Sequence, residues 1–68
     1  MRKWLLAIRE ERKLSQKSVS EMIGISQPSY CNIENGKRNP YVKTAQAIAT
    51  VLGFEWTRFY EEEVQNES

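Results

Sequence analysis

The chain has 68 residues, of which 40% are hydrophobic and 28% charged, and its formal net charge is +1. That length permits one domain and leaves little room for a catalytic cleft. A single cysteine rules out an internal disulfide framework, the absence of histidine removes the usual general base and the commonest zinc ligand, and no apolar run approaches the roughly 18–20 residues of a membrane span.

The first predicted helix covers about residues 2–12, with Leu5 and Ile8 on one face, Trp4 beside them and Arg12 at the next turn. Its apolar opening is broken at once by Arg9, Glu10, Glu11, Arg12 and Lys13, so it does not read as a secretory signal, and a cytoplasmic location is expected. The second predicted helix covers about 16–23. Ser15 is its N-cap, Val19, Met22 and Ile23 its apolar stripe, and Gly24 its end. The third covers about 27–35, with Ser26 as N-cap, Pro28 in the first turn, where no amide hydrogen is needed, and Tyr30 and Ile33 facing inward. A basic loop follows from Lys37 to Pro40. The fourth helix, about 42–52, buries Ala45, Ile48, Ala49 and Leu52. The fifth, about 56–62, brings Trp56, Phe59 and Tyr60 over the core. No alternating pattern of convincing length argues for a strand. The expected fold class is all-α, with five short helices in one domain over 1–62 and an acidic, disordered tail over 63–68.

The net charge conceals an asymmetry. Residues 1–54 carry nine Lys or Arg against four acids, a balance of +5, whereas 55–68 carry one Arg against five Glu, a balance of −4. A basic body of this kind suits a polyanionic partner.

The informative unit lies at about 16–35. Two short helices are joined by Gly24-Ile25-Ser26, with apolar residues at 19, 23, 25, 30 and 33 and the small Ser20 where the helices cross. The residues Leu14-Ser15-Gln16, Ile23-Gly24-Ile25-Ser26-Gln27 and Ile33-Glu34-Asn35-Gly36-Lys37-Arg38-Asn39-Pro40 resemble the helix-turn-helix domain of Cro and phage-repressor-type (XRE-like) regulators. The likeness covers about residues 4–59. It implies a compact lambda-repressor-like domain whose second and third helices form the DNA-reading pair. By that resemblance, Gln27, Pro28 and Asn32 face base edges, with Ser29 beside them. Gln16, Asn35, Lys37 and Arg38 grip phosphate, and Arg9 with Glu34 forms an ion pair tying the first helix to the third. Three departures from the family pattern stand out: serine replaces the usual alanine at 20, Tyr41 takes the place of a serine N-cap, and Pro28 offers only apolar contact.

The chemistry of these side chains agrees in outline. Phosphate oxygens accept from Lys, Arg, Asn, Gln and helix N-termini and so set register. Gln and Asn can bond two adjacent atoms of an adenine edge. The implied activity is sequence-specific binding of duplex DNA by a transcriptional regulator, with repression the commoner mode for such compact relatives. The implied partner is a palindromic operator bound by a homodimer. No catalytic pair, metal-ligand spacing or cofactor motif is present in the sequence, and no role as an enzyme is expected. A second reading is a protein-interaction module, such as an antitoxin or accessory subunit, on the same scaffold. Cys31, in the third helix, is a lone thiol for which oxidation sensitivity is a separate question.

Overall fold

Side chains or glycines complete the exposed backbone groups at several of the helix ends. In the computed structural model, which describes residues 1–61, four helices follow in order: α1 (Lys3–Glu11), α2 (Gln16–Ile23), α3 (Gln27–Glu34) and α4 (Val42–Leu52). A fifth, α5, begins at residue 58, and its described part reaches 61. The acidic stretch read as a tail, 63–68, lies outside the described residues. No strand occurs among the described residues, and the all-α, five-helix arrangement is the one expected.

The two N-caps read from the sequence are in place. Ser15 Oγ accepts from the Ser18 amide at 3.0 Å, and Ser26 Oγ accepts from the Ser29 amide at 3.3 Å. Each cap of this kind stabilises its helix by about 1 kcal/mol. Pro28 sits in the first turn of α3. Gly24 closes α2 in left-handed backbone, φ 77°, which turns the chain sharply into α3 and which a β-carbon would strain. Tyr41 opens α4 without a side-chain cap bond.

The core is built from one stripe of each helix. Leu5 of α1, Val19 of α2, Tyr30 and Ile33 of α3, Ala45, Ile48 and Leu52 of α4 and Phe59 of α5 are buried together. Ser20 is buried as well, and its hydroxyl donates to the Lys17 carbonyl at 2.8 Å, so the polar atom is satisfied inside its own helix. Trp4, Phe54 and Phe59 meet edge to face or tilted, with ring centroids 5.1–5.7 Å apart. Arg58 lies 4.7 Å over the Trp4 ring.

Two sequence expectations need correction. Met22 is 59% exposed rather than part of the buried stripe. With Val19 and Ser20 both buried, the inner face of α2 is rotated toward the small residue, and position 22 falls outside its arc. Residues 56 and 57 form a turn ahead of α5 instead of its first residues. Trp56 packs half-buried against the core and meets Tyr60 edge to face, while Tyr60 remains exposed.

Tyr30 gives the fold a predictable alkaline limit. Burial first, and the nearby Glu34 carboxylate second, push its phenol well above the usual tyrosine range. The unfolded chain gives up that proton near pH 10, as an ordinary tyrosine does, whereas the folded chain keeps it. The stabilisation is therefore complete below about pH 10 and is lost as pH rises toward the folded-state value. Tm measured from about pH 9 to 12 should fall more steeply for the wild type than for Tyr30→Phe. Parallel curves would show that Tyr30 does not set the alkaline limit.

Candidate nucleic-acid interface

The third helix divides its residues cleanly by face. Successive positions turn by about 100° around the axis, so Tyr30, Ile33 and Glu34 point into the domain and are buried. Pro28, Asn32 and Asn35 fall on the opposite side, with Cys31 at one edge of that arc and Gln27 and Ser29 flanking it on either side. Gln27 and Pro28 are exposed, while Asn32, Cys31 and Asn35 are half-buried.

Gln16, at the start of α2, joins this surface. A shallow hollow is lined by Gln16, Gln27, Pro28 and Cys31. Gln27 and Pro28, expected to face bases, are thus brought together with Gln16, expected to face phosphate, while Asn32 follows along the same face of α3 and Ser29 does not join them. The Ser26 hydroxyl donates to Ser29 Oγ at 2.8 Å, and Ser29 lines a different hollow, with Ile25, Ile33, Arg38, Tyr41 and Thr44. Ser29 therefore belongs to the N-cap of α3 and to the side facing α4.

The side-chain amides differ in how they are engaged. Gln16 Nε2 donates to Glu34 Oε2 at 3.4 Å, and Asn35 Nδ2 donates to Cys31 Sγ at 3.3 Å. The side-chain amides of Gln27 and Asn32 make no hydrogen bond among the described residues, so donor and acceptor are both open to a partner. The Asn32 carbonyl has a separate task. It accepts from the amides of Lys37 (3.0 Å) and Arg38 (3.2 Å) and so folds the basic loop back onto the end of α3. Gly36 makes that return possible with φ 80°. Lys37 and Arg38 are exposed at its tip.

An ion pair holds this surface to the rest of the domain. Arg9 Nε donates to Glu34 Oε2 at 3.0 Å, and Arg9 Nη2 donates to Glu34 Oε1 at 2.9 Å. This is the planar fork that suits guanidinium and carboxylate. Arg9 Nη1 also donates to the Leu14 carbonyl at 2.8 Å, fixing the chain just before α2. Glu34 is fully buried, and Arg9 is 12% exposed. The hydrogen bond to Glu34, more than its charge alone, raises the Arg9 pKa above its ordinary value.

Arg2 is the site residue that sequence reasoning missed. It is buried, at 4% exposure. Its Nη1 donates to the carbonyls of Ile33 and of Arg38, the latter at 3.0 Å, and its Nη2 donates to Asn39 Oδ1 at 2.6 Å. Its backbone amide donates to the Glu34 carbonyl at 2.8 Å. Partners that are mostly carbonyls leave no trace in side-chain patterns. The available signal was a cationic pair, Arg2-Lys3, opening a helix, where an acidic residue is the electrostatically favoured choice.

Known proteins are similar to this chain in sequence. The helix-turn-helix family model matches residues 5–59. The HTH-type transcriptional regulator YqaF of Bacillus subtilis is 43% identical over 62 residues, covering 91% of this chain and 82% of YqaF. The immunity repressor protein of Bacillus phage phi105 is 37% identical over 57 residues, and YqaE of Bacillus subtilis, also an HTH-type transcriptional regulator, is 36% identical over 44. The aligned regions are 84% and 65% of this chain but only 40% and 38% of those two longer relatives. No solved structure shows significant similarity. No helix among the described residues is long and apolar enough to cross a membrane. The capped α2–α3 pair, the returning basic loop and these matches together show that the chain belongs to the Cro/phage-repressor-type helix-turn-helix family of transcriptional regulators.

Proposed function

We propose that the protein is a sequence-specific repressor that places α3 in the major groove of duplex DNA. The observation that carries this reading is the outward band of α3, where the side-chain amides of Gln27 and Asn32 lie on either side of Pro28 and bond to no other described residue. Amides in that state can each form a bidentate pair with an adenine edge. Pro28 supplies shape and apolar contact, such as to a thymine methyl. Lys37 and Arg38 at the loop tip, with Gln16 and Asn35 beside the band, supply the phosphate contacts that set register. The similarity to a phage immunity repressor supports repression over activation.

Two copies are expected on a palindromic operator, with half-sites one helical turn, about 34 Å, apart. Exposed Tyr41 and Val42 at the start of α4 and Tyr60 on α5 offer apolar surface for that pairing. The deciding experiment is selection of bound duplexes from a random pool, followed by footprinting across a salt series. Enrichment of a palindrome, with affinity falling steeply as salt rises, is the expected result. Binding to none of the pool at low salt, together with capture of a protein partner after nucleic acid is digested away, would replace this reading with that of an interaction module.

A further inference from the structure

The basic loop is fastened from beneath by a cation that faces away from solvent. Arg2 reaches the end of α3 through the Ile33 carbonyl, the middle of the loop through the Arg38 carbonyl, and the next residue through Asn39 Oδ1. Its backbone amide holds the Glu34 carbonyl as well. These carbonyls belong to the negative end of α3 and the turn after it, where a cation is favoured. Its guanidinium also lies 5.4 Å over the Phe59 ring, which fixes it to the core. The backbone of Met1 lies against Gly36, about where a β-carbon there would meet it at 3.5 Å.

The orientation of Arg38 is therefore tied to Arg2. The Arg38 amide is held by the Asn32 carbonyl at 3.2 Å and the Arg38 carbonyl by Arg2 at 3.0 Å, so both its backbone polar groups are anchored while its side chain is exposed. A loop held in this way presents its two cations with less ordering left to complete on binding. We propose that Arg2 is a positioning residue for DNA binding, setting the phosphate-contacting loop Lys37–Arg38 without touching the duplex itself. The proposal rests on the reading of that loop as a phosphate grip.

The test is a double-mutant cycle between Arg2→Ala and the pair Lys37→Ala/Arg38→Ala, read as affinity for a duplex selected by the wild type, at a temperature where circular dichroism shows every variant folded. Arg2→Ala alone should weaken binding roughly tenfold, leave base preference unchanged, and make the log–log salt slope shallower by up to about 1.8, two contacts at about 0.9 each. In the background lacking both loop cations it should have almost no further effect. Amide hydrogen exchange gives an independent readout. Lys37 and Arg38 should exchange faster in Arg2→Ala while the α4 amides do not change. Arg2→Lys keeps the charge but loses the planar fork. It should show the same loop-specific exchange, and it stands in should Arg2→Ala not fold. Effects that simply add in the cycle, or loop exchange that stays at the wild-type rate, would overturn the proposal. Loss of the loop cations with no change in affinity or salt slope would instead overturn the phosphate reading beneath it.

Discussion

Glu34→Ala is expected to destabilise the protein by about 3–5 kcal/mol, the range for removing one partner of a buried ion pair. The carboxylate is fully buried and accepts from Arg9 Nε and Nη2 and from Gln16 Nε2, so its loss strands a nearly buried guanidinium and releases the amide at the start of α2. A domain of this size has a total stability of only about 3–10 kcal/mol, so the variant should be largely unfolded at 37 °C. Urea titration followed by circular dichroism measures the difference as a shift in midpoint at unchanged slope. A loss below about 1 kcal/mol would mean that water relaxes into the site and the pair is not buried in effect. The double variant Arg9→Met/Glu34→Leu separates charge from shape, because well-packed apolar replacements of buried pairs are often neutral or stabilising. It should recover most of the lost stability. Its DNA affinity should not recover fully, since Gln16 no longer has the carboxylate that holds its amide. That split would place the value of the pair in orienting α2 and α3 rather than in stabilising the fold.

The parts of this protein that were legible in its sequence are those governed by local rules. Ser15 and Ser26 announce helix starts because a hydroxyl followed by apolar periodicity has few other uses, and both cap as expected. Gly24 marks the end of α2 because left-handed backbone excludes most other residues. The stripe Ala45, Ile48, Ala49 and Leu52 leaves no ambiguity about the face of α4. Where the reading failed, the outcome was decided by how elements pack on one another. Met22 fits an apolar stripe by spacing, but burial of Ser20 turned α2 away from it. Phe54, just past Gly53, packs against both Trp4 and Phe59, a contact that depends on the chain's path after α4 rather than on helical periodicity. Arg2 carries no side-chain signature in the sequence, because its partners, 31 to 37 residues away, are mainly backbone oxygens. The outward band of α3 lies between these extremes. Its residue types pointed to DNA through the family resemblance, but only coordinates set Ser29 apart from Gln27 and Asn32.

That separation makes Asn32→Ala the most informative substitution on the binding surface. Asn32 lies near the middle of the outward arc, and its side-chain amide is not engaged by any other described residue. If it pairs with an adenine edge, its removal should cost about 1–3 kcal/mol on the preferred duplex, a loss of roughly 5- to 150-fold in affinity. Discrimination at the one base pair it contacts should disappear, while other positions of the operator keep theirs. The fold should survive, because the carbonyl that accepts from Lys37 and Arg38 belongs to the backbone and is retained. Gln27→Ala should act similarly at a neighbouring base pair. Lys37→Ala provides the contrast. It should weaken all duplexes to a similar degree and make the salt slope shallower by about 0.9, with base preference unchanged. Ser29→Ala, by its position on the side facing α4, should leave base preference as it is and cost only a fraction of the cap energy. Parallel selection from a randomised operator library with each variant reads all four outcomes at once. If Asn32→Ala and Lys37→Ala gave the same uniform weakening, α3 would be holding the backbone rather than reading the groove. Specificity would then have to come from the shape and deformability of the DNA.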